Sequence, residues 1–200
     1  MIKVTESNIH WNYFLALERD VERISRFVEF TSGNFKTFSI ELARILFSAA
    51  SEVDVISKSL CESLQPGSNP KNINDYRSIV TSNLPEFAKE KVFVPRYGLT
   101  LDPWSAWRKH RSPDNPIWWR AYNNVKHQRD QHFDQANLQH TLNAMAGLLV
   151  TVFYFQHSTM KQTWPLTGRP LGNKDVTAKL APQSELLRLS DGHYFDSIVV

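Results

Sequence analysis

Two hundred residues, 42% apolar and 22% charged, give enough chain to close a single hydrophobic core and exclude a collagenous, low-complexity or largely disordered protein. A lone cysteine, Cys61, excludes an intramolecular disulfide framework. A net charge of +3 is too small to name a nucleic-acid partner, yet residues 96–133 hold seven Lys/Arg against Asp102, Asp114 and Asp130, a local excess of +4.

The opening MIKVTESNIHW lacks the apolar stretch of a secretion signal, so a cytoplasmic location is expected. The longest nearly apolar run, AMAGLLVTVFYF at 144–155, falls short of the roughly 20 residues a membrane span needs. It reads as a buried helix, with no membrane partner.

Residues 8–30 place Trp11, Phe14, Leu17, Val21, Ile24 and Val28 at three- and four-residue steps, with Glu18, Arg19, Glu22, Arg23 and Arg26 elsewhere. That spacing predicts a first amphipathic helix. TSGN at 31–34 supplies a glycine stop and an asparagine to cap a second, more apolar helix over 35–63. QPGSNPKN must be a loop, and a third helix is expected at 73–84, ahead of Pro85. VFVPRYGLTL, residues 92–101, is β-rich but interrupted by Pro95 and Gly98, which predicts an extended connector or short edge strand. Pro116 suits the first turn of a fourth helix over 116–130, with Asn115 as its cap, and a fifth follows over 135–157 behind Asp134. After Trp164 the pattern is lost, and a small hairpin is expected around Asp191-Gly192. The reading is an all-α bundle of four to five antiparallel helices in residues 1–160, with residues 161–200 as a largely irregular C-terminal tail, an appendage to it.

The chemistry concentrates in WWRAYNNVKHQRD, residues 118–130. At 100° per residue, Arg120 and His127 fall about 20° apart on the helix surface, and about 10 Å apart along its axis. Asn123 and Asn124 flank that line, Gln131 prolongs it, and Trp118, Tyr122 and Val125 point away. A guanidinium offers a planar fork of donors to a phosphate, and an imidazole exchanges a proton near neutral pH. This pair suits RNA phosphodiester cleavage without a metal or other cofactor: His127 handles the proton of the ribose 2′-hydroxyl or of the leaving oxygen, and Arg120 stabilises the phosphorane-like charge. Asn123, Asn124 and Lys126 would contact the RNA, while Arg129 would serve packing or a salt bridge. A basic helix with one Arg and one His on its wet face is also a common surface. On the second helix Glu41, Arg44, Ser48 and Glu52 share a narrow arc. Facing inward, Glu41 or Glu52 could balance Arg120 or orient His127; facing water, Glu41 and Arg44 are an ordinary surface pair.

Other constellations carry less. His127, His132, His140 and Asp134 invite a metal site, but their spacings do not align on one helix face. Trp104, Trp107, Trp118 and Trp119, interleaved with Arg108, Lys109 and Arg111, could stack bases as single-strand binders do, or cap the open end of a bundle. Cys61 reads as a packing thiol. No P-loop, GxGxxG or GxSxG motif is present.

Trp118-Trp119, Tyr122-Asn123, Val125-Lys126-His127 and Arg129, followed by LNAMAGLLV at 142–150 and preceded by ELARILFSAASEVDVISKSLC at 41–61, resemble the HEPN superfamily, whose motif is Arg-x(4 to 6)-His. The match is to a group of mostly uncharacterised bacterial HEPN-like proteins and spans about residues 8–157. The resemblance implies a helical bundle that dimerises, joining two Arg/His motifs in one cleft for metal-independent RNA cleavage, with Arg120 and His127 as the catalytic pair. It further implies a toxin or phage-defence role with an antitoxin or nucleotidyltransferase-like partner. The alternative is a non-catalytic HEPN-like module that binds RNA, a nucleotide or a partner protein.

Overall fold

A computed structural model describes residues 7–108, 114–165 and 168–195. Among them lie seven α-helices, α1 (Ile9–Ile24), α2 (Ile40–Leu64), α3 (Ile73–Asn83), α4 (Ile117–His127), α5 (Arg129–His132), α6 (Leu138–Thr163) and α7 (Asn173–Lys179), and an antiparallel pair of strands, β1 (Val92–Val94) and β2 (Leu99–Leu101). The chain is mainly helical, and no helix among the described residues is long and apolar enough to cross a membrane.

The core is built on α2 and α6. Leu42, Ile45, Leu46, Ala49, Ala50, Val53, Ile56 and Leu60 on α2 face Leu142, Met145, Leu149, Val152 and Phe153 on α6, all buried. The two helices run parallel, not antiparallel as expected: Thr141 Oγ1 donates to the Leu42 carbonyl at 3.1 Å near their starts, and the hydroxyls of Ser63 and Ser158 meet near their ends. The extended segments ahead of both helices explain this. Phe38 and Asn137 form a β-bridge, and the Leu138 and Gln139 amides donate to the carbonyls of Thr37 and Phe35, so both helices start from one edge.

That pairing also moves the caps. The Ser39 side chain, not Asn34, accepts the first-turn amide of α2, while the Asn34 amide group is bonded to the Glu29 carbonyl. Asn137, not Asp134, caps α6 by accepting the His140 amide at 3.1 Å. α1 stops at Ile24 instead of 30, because the following amides turn back to carbonyls three residues earlier and Ser25 Oγ donates to Glu22. It crosses α2 antiparallel, joined by His10–Glu52 at one end and Asp20–Arg44 at the other.

Of two expectations about β structure, the first is refined and the second corrected. VFVPRYGLTL is a hairpin in which Pro95–Tyr97 form the turn and Gly98, at φ +62°, supplies the left-handed residue. The segment Asp191–His193 is a single 3₁₀ turn and no hairpin, and Gly192 does not take the positive φ a tight hairpin turn requires. Arg188 instead bridges to Phe93 of β1, with amide–carbonyl bonds of 2.7 and 2.8 Å in both directions.

Nor is the C-terminal segment an appendage. Val176, Leu180, Leu186, Leu187 and Leu189 enter the core. Glu18, which the helical pattern assigned to the polar face of α1, is 5% exposed. Its carboxylate accepts the amides of Leu186 at 3.1 Å and Leu187 at 2.9 Å and the Ser184 hydroxyl, and these donors offset the cost of burying it. A second tie lies nearby in the same segment: Tyr154 donates to Glu90 at 2.9 Å, and buried His193 brings Nε2 to 3.3 Å from the same oxygen.

Candidate functional site on helix α4

Helix α4 is seated by its tryptophans. Trp118 is fully buried, donates its indole N–H to the Pro103 carbonyl at 2.9 Å and lies edge-on to Trp104. Trp104 donates to the Gly147 carbonyl on α6 and packs on Trp107 at 4.3 Å. With Trp119 at 7% exposure, all four indoles are spent on packing, which removes them as a base-stacking platform and matches the bundle-capping alternative. Lys109 and Arg111 of the same motif lie outside the described residues.

The opposite face of α4 is wet. Arg120, Asn124, Lys126 and His127 are exposed, and Ala121 and Val125 are buried beneath them. Among the described residues neither the Arg120 nor the His127 side chain has a hydrogen bond or ion pair. Asn123 is half-buried and gives its amide to the Trp119 carbonyl at 2.9 Å. Lys126 leans over the Tyr122 ring at 5.4 Å, and Arg129 over the Phe47 ring at 5.3 Å, the packing role foreseen for Arg129. Beside them opens a cleft of about 490 Å³ lined by Ile40, Phe47, Arg129 and Phe133.

Helix α4 is shorter than expected at both ends. Asn115 does not cap it: Pro116 is the N-cap, no side chain accepts there, and Asn115 Oδ1 is buried with no partner among the described residues. At the other end Gln128 leaves the helical region (φ −142°, ψ 57°) and returns its amide to Asn124, so His127 is the last helical residue. Gln131 therefore no longer continues the Arg120–His127 line; it belongs to α5.

The turn after α4 is held by side chains. Asn124 Nδ2 donates to Gln135 Oε1 at 3.0 Å, Gln135 Nε2 meets His132 Nδ1 at 3.3 Å, and His132 Nε2 reaches Gln128 Oε1 at 3.2 Å. The Gln135 carbonyl takes one more bond, from His140 Nδ1 at 2.8 Å. His140 is half-buried in the first turn of α6. Burial pushes its imidazole below the ordinary histidine value, the Gln135 carbonyl opposes that shift, and the positive charge of Arg120 adds to it.

The polar arc of α2 faces α1. Arg44 is bound by Asp20 at 2.8 Å and Glu41 at 2.9 Å, and those two carboxylates, Asp20 first, hold its guanidinium above its ordinary value. Glu52 Oε1 lies 2.6 Å from His10 Nδ1. The carboxylates thus pair with Arg44 and His10, not with Arg120 or His127. Cys61 is fully buried, and desolvation pushes its thiol up to about 12, as befits a packing residue. Among the described residues, no three His, Cys, Asp or Glu side chains gather as a metal centre would require.

Sequence reasoning weighed His140 only as a metal ligand and passed over Gln135. The adjacency of α4 to the start of α6 that gives both residues meaning is tertiary. The one signal available was that Asn137 precedes His140 by three positions, a cap spacing that fixes His140 in a first helical turn. No family model, curated protein or solved structure matches the chain.

Proposed function

We propose that the exposed face of α4 is the active site of a metal-independent endoribonuclease of HEPN type. The observation that carries this reading is that Arg120 and His127 share the wet face of a helix whose other face is anchored by Trp118, while neither is bound by another described residue. Surface arginines commonly find a carboxylate, as Arg44 does here. Arg120 has none among the described residues, which leaves its guanidinium available to a phosphate. A rigid helix with a free guanidinium and a free imidazole offers an anion site and a proton-transfer group on one surface.

The separation of about 10 Å along the helix sets the form of the site. A phosphate held by Arg120 and a proton handled by His127 of the same helix do not meet at one atom. A homodimer joined across this face brings each motif to its symmetry mate, since a two-fold interface uses the same patch twice. Such a cytoplasmic nuclease would suit a toxin or phage-defence effector controlled by an antitoxin or a nucleotidyltransferase-like partner.

The same separation favours a second reading, a non-catalytic module in which Arg120, Asn124 and Lys126 bind RNA, a nucleotide or a partner protein without cutting. The two are resolved by incubating purified protein with RNA in EDTA. Cleavage that is lost in both Arg120→Ala and His127→Ala supports the nuclease. Binding without cleavage supports the module.

A further inference from the structure

We propose that His140 is a catalytic residue of this site, its Nε2 taking the proton from the ribose 2′-hydroxyl of an RNA whose phosphate is held by Arg120 of the same chain. The inference rests on the nuclease reading above and adds to it the group that the α4 motif lacks within one protomer.

Three observations place it there. First, the 2.8 Å bond from His140 Nδ1 to the Gln135 carbonyl can form only if Nδ1 carries the hydrogen, which leaves Nε2 bare in the neutral ring. Second, His140 Nε2 has no hydrogen-bond partner among the described residues and is not among the fully enclosed unpartnered atoms, so it is not sealed off from solvent although the residue is half-buried. Third, α4 passes antiparallel over the start of α6. Asn124 is tied to Gln135 at 3.0 Å, Gln135 is tied to His140, and Arg120 lies one turn back from Asn124, near enough for its charge to act on the His140 ring. The charged groups acting on His140 are Arg120 from α4, which disfavours the imidazolium, and Asp134 from the preceding turn, which favours it. Burial and Arg120 prevail and favour the neutral ring, the form that can accept a proton.

In this assignment the 2′-oxygen attacks phosphorus as its proton passes to His140 Nε2. The bond from phosphorus to the 5′-oxygen breaks, and that oxygen takes a proton from the imidazolium form of His127 of the partner subunit, which the two-fold interface brings to the phosphate that its own chain's His127 cannot reach. The products are a 2′,3′-cyclic phosphate and a 5′-hydroxyl, with both histidines restored by exchange with water. No oxidant, metal or co-reactant enters. His127 and His140 then divide the acid and base roles, as the proton inventory of the reaction asks.

The test substitutes His140→Asn, whose side-chain amide can still donate to the Gln135 carbonyl while removing the acceptor nitrogen. We expect a loss of about 10² to 10⁴ in cleavage rate, an unchanged melting profile at pH values above the ordinary histidine range, unchanged binding of an uncleavable 2′-deoxy RNA, and disappearance of the acid limb of the pH–rate profile. Nitrogen NMR of the parent should show Nδ1 protonated and Nε2 titrating below 6.5. A parent that cleaves, with His140→Asn cleaving equally well, overturns the assignment and leaves the nuclease reading intact. A ring protonated at Nε2 instead also overturns it. A parent that cleaves no RNA removes both.

Discussion

A methyl group placed on Gly147 would stand 2.8 Å from Cζ2 of the Trp118 indole. This close approach lets α4 sit down on α6, and Trp118 is fully buried and hydrogen-bonded, so it cannot swing aside. Gly147→Ala should therefore destabilise the protein by about 1–3 kcal/mol, despite the better helix propensity of alanine. Urea unfolding measures it. A neutral or stabilising result would mean that α4 is seated less tightly than described.

Glu18 links the first helix to the last segment through the amides of Leu186 and Leu187. Glu18→Ala leaves those buried donors unsatisfied, at a cost of about 1–3 kcal/mol for each. Hydrogen exchange at Leu186 and Leu187 should accelerate in Glu18→Ala before any global loss of protection. Unchanged exchange at both amides would contradict the account of how this segment docks.

Both His140 and His157 are held below the ordinary histidine value, in each case first by burial, with Arg120 assisting at one and Lys161 at the other. Groups whose folded values are depressed contribute stability that is complete above the unfolded value of 6.5 and is lost as pH falls through the folded values. Stability should thus drop between pH 7.5 and pH 5, and the double substitution of both residues by asparagine should flatten that drop. Equal slopes in parent and variant would show that the two rings do not carry it.

If two Arg/His motifs share one cleft, the purified protein is a dimer at micromolar concentration and its interface includes the face of α4. Ile117, 43% exposed near the start of that helix, is an apolar contact for such an interface. Ile117→Glu should shift the light-scattering mass from two chains to one. A monomeric parent would reject the shared cleft and, with it, His127 as the acid at the phosphate held by Arg120.

The long helices were readable because periodicity responds to burial, and the apolar steps of α2 and α6 remain in register with their buried faces. Their starts were not. Asn34 and Ser39 compete as caps for one helix, Asp134 and Asn137 for the other, and the winner in each case is set by the bridge between Phe38 and Asn137, ninety-nine positions apart. Likewise Asp191-Gly192 carries a hairpin dipeptide, but the partner of that segment is Phe93, far upstream. The wet face carrying Arg120 and His127 could be drawn from a helical wheel, whereas His140 could not be joined to it, because its contact with the α4 region runs through the Gln135 carbonyl.

The central claim is that RNA is cut through its own 2′-hydroxyl at the face bearing Arg120 and His127. The most direct measurement uses one RNA strand and the same strand with a single deoxyribose at the cleaved position, incubated with the protein in EDTA, with the product ends identified by mass. The account predicts a 2′,3′-cyclic phosphate and a 5′-hydroxyl from the first strand and no cut at that position in the second. Products bearing a 5′-phosphate, or equal cutting of the deoxy-substituted strand, would contradict it.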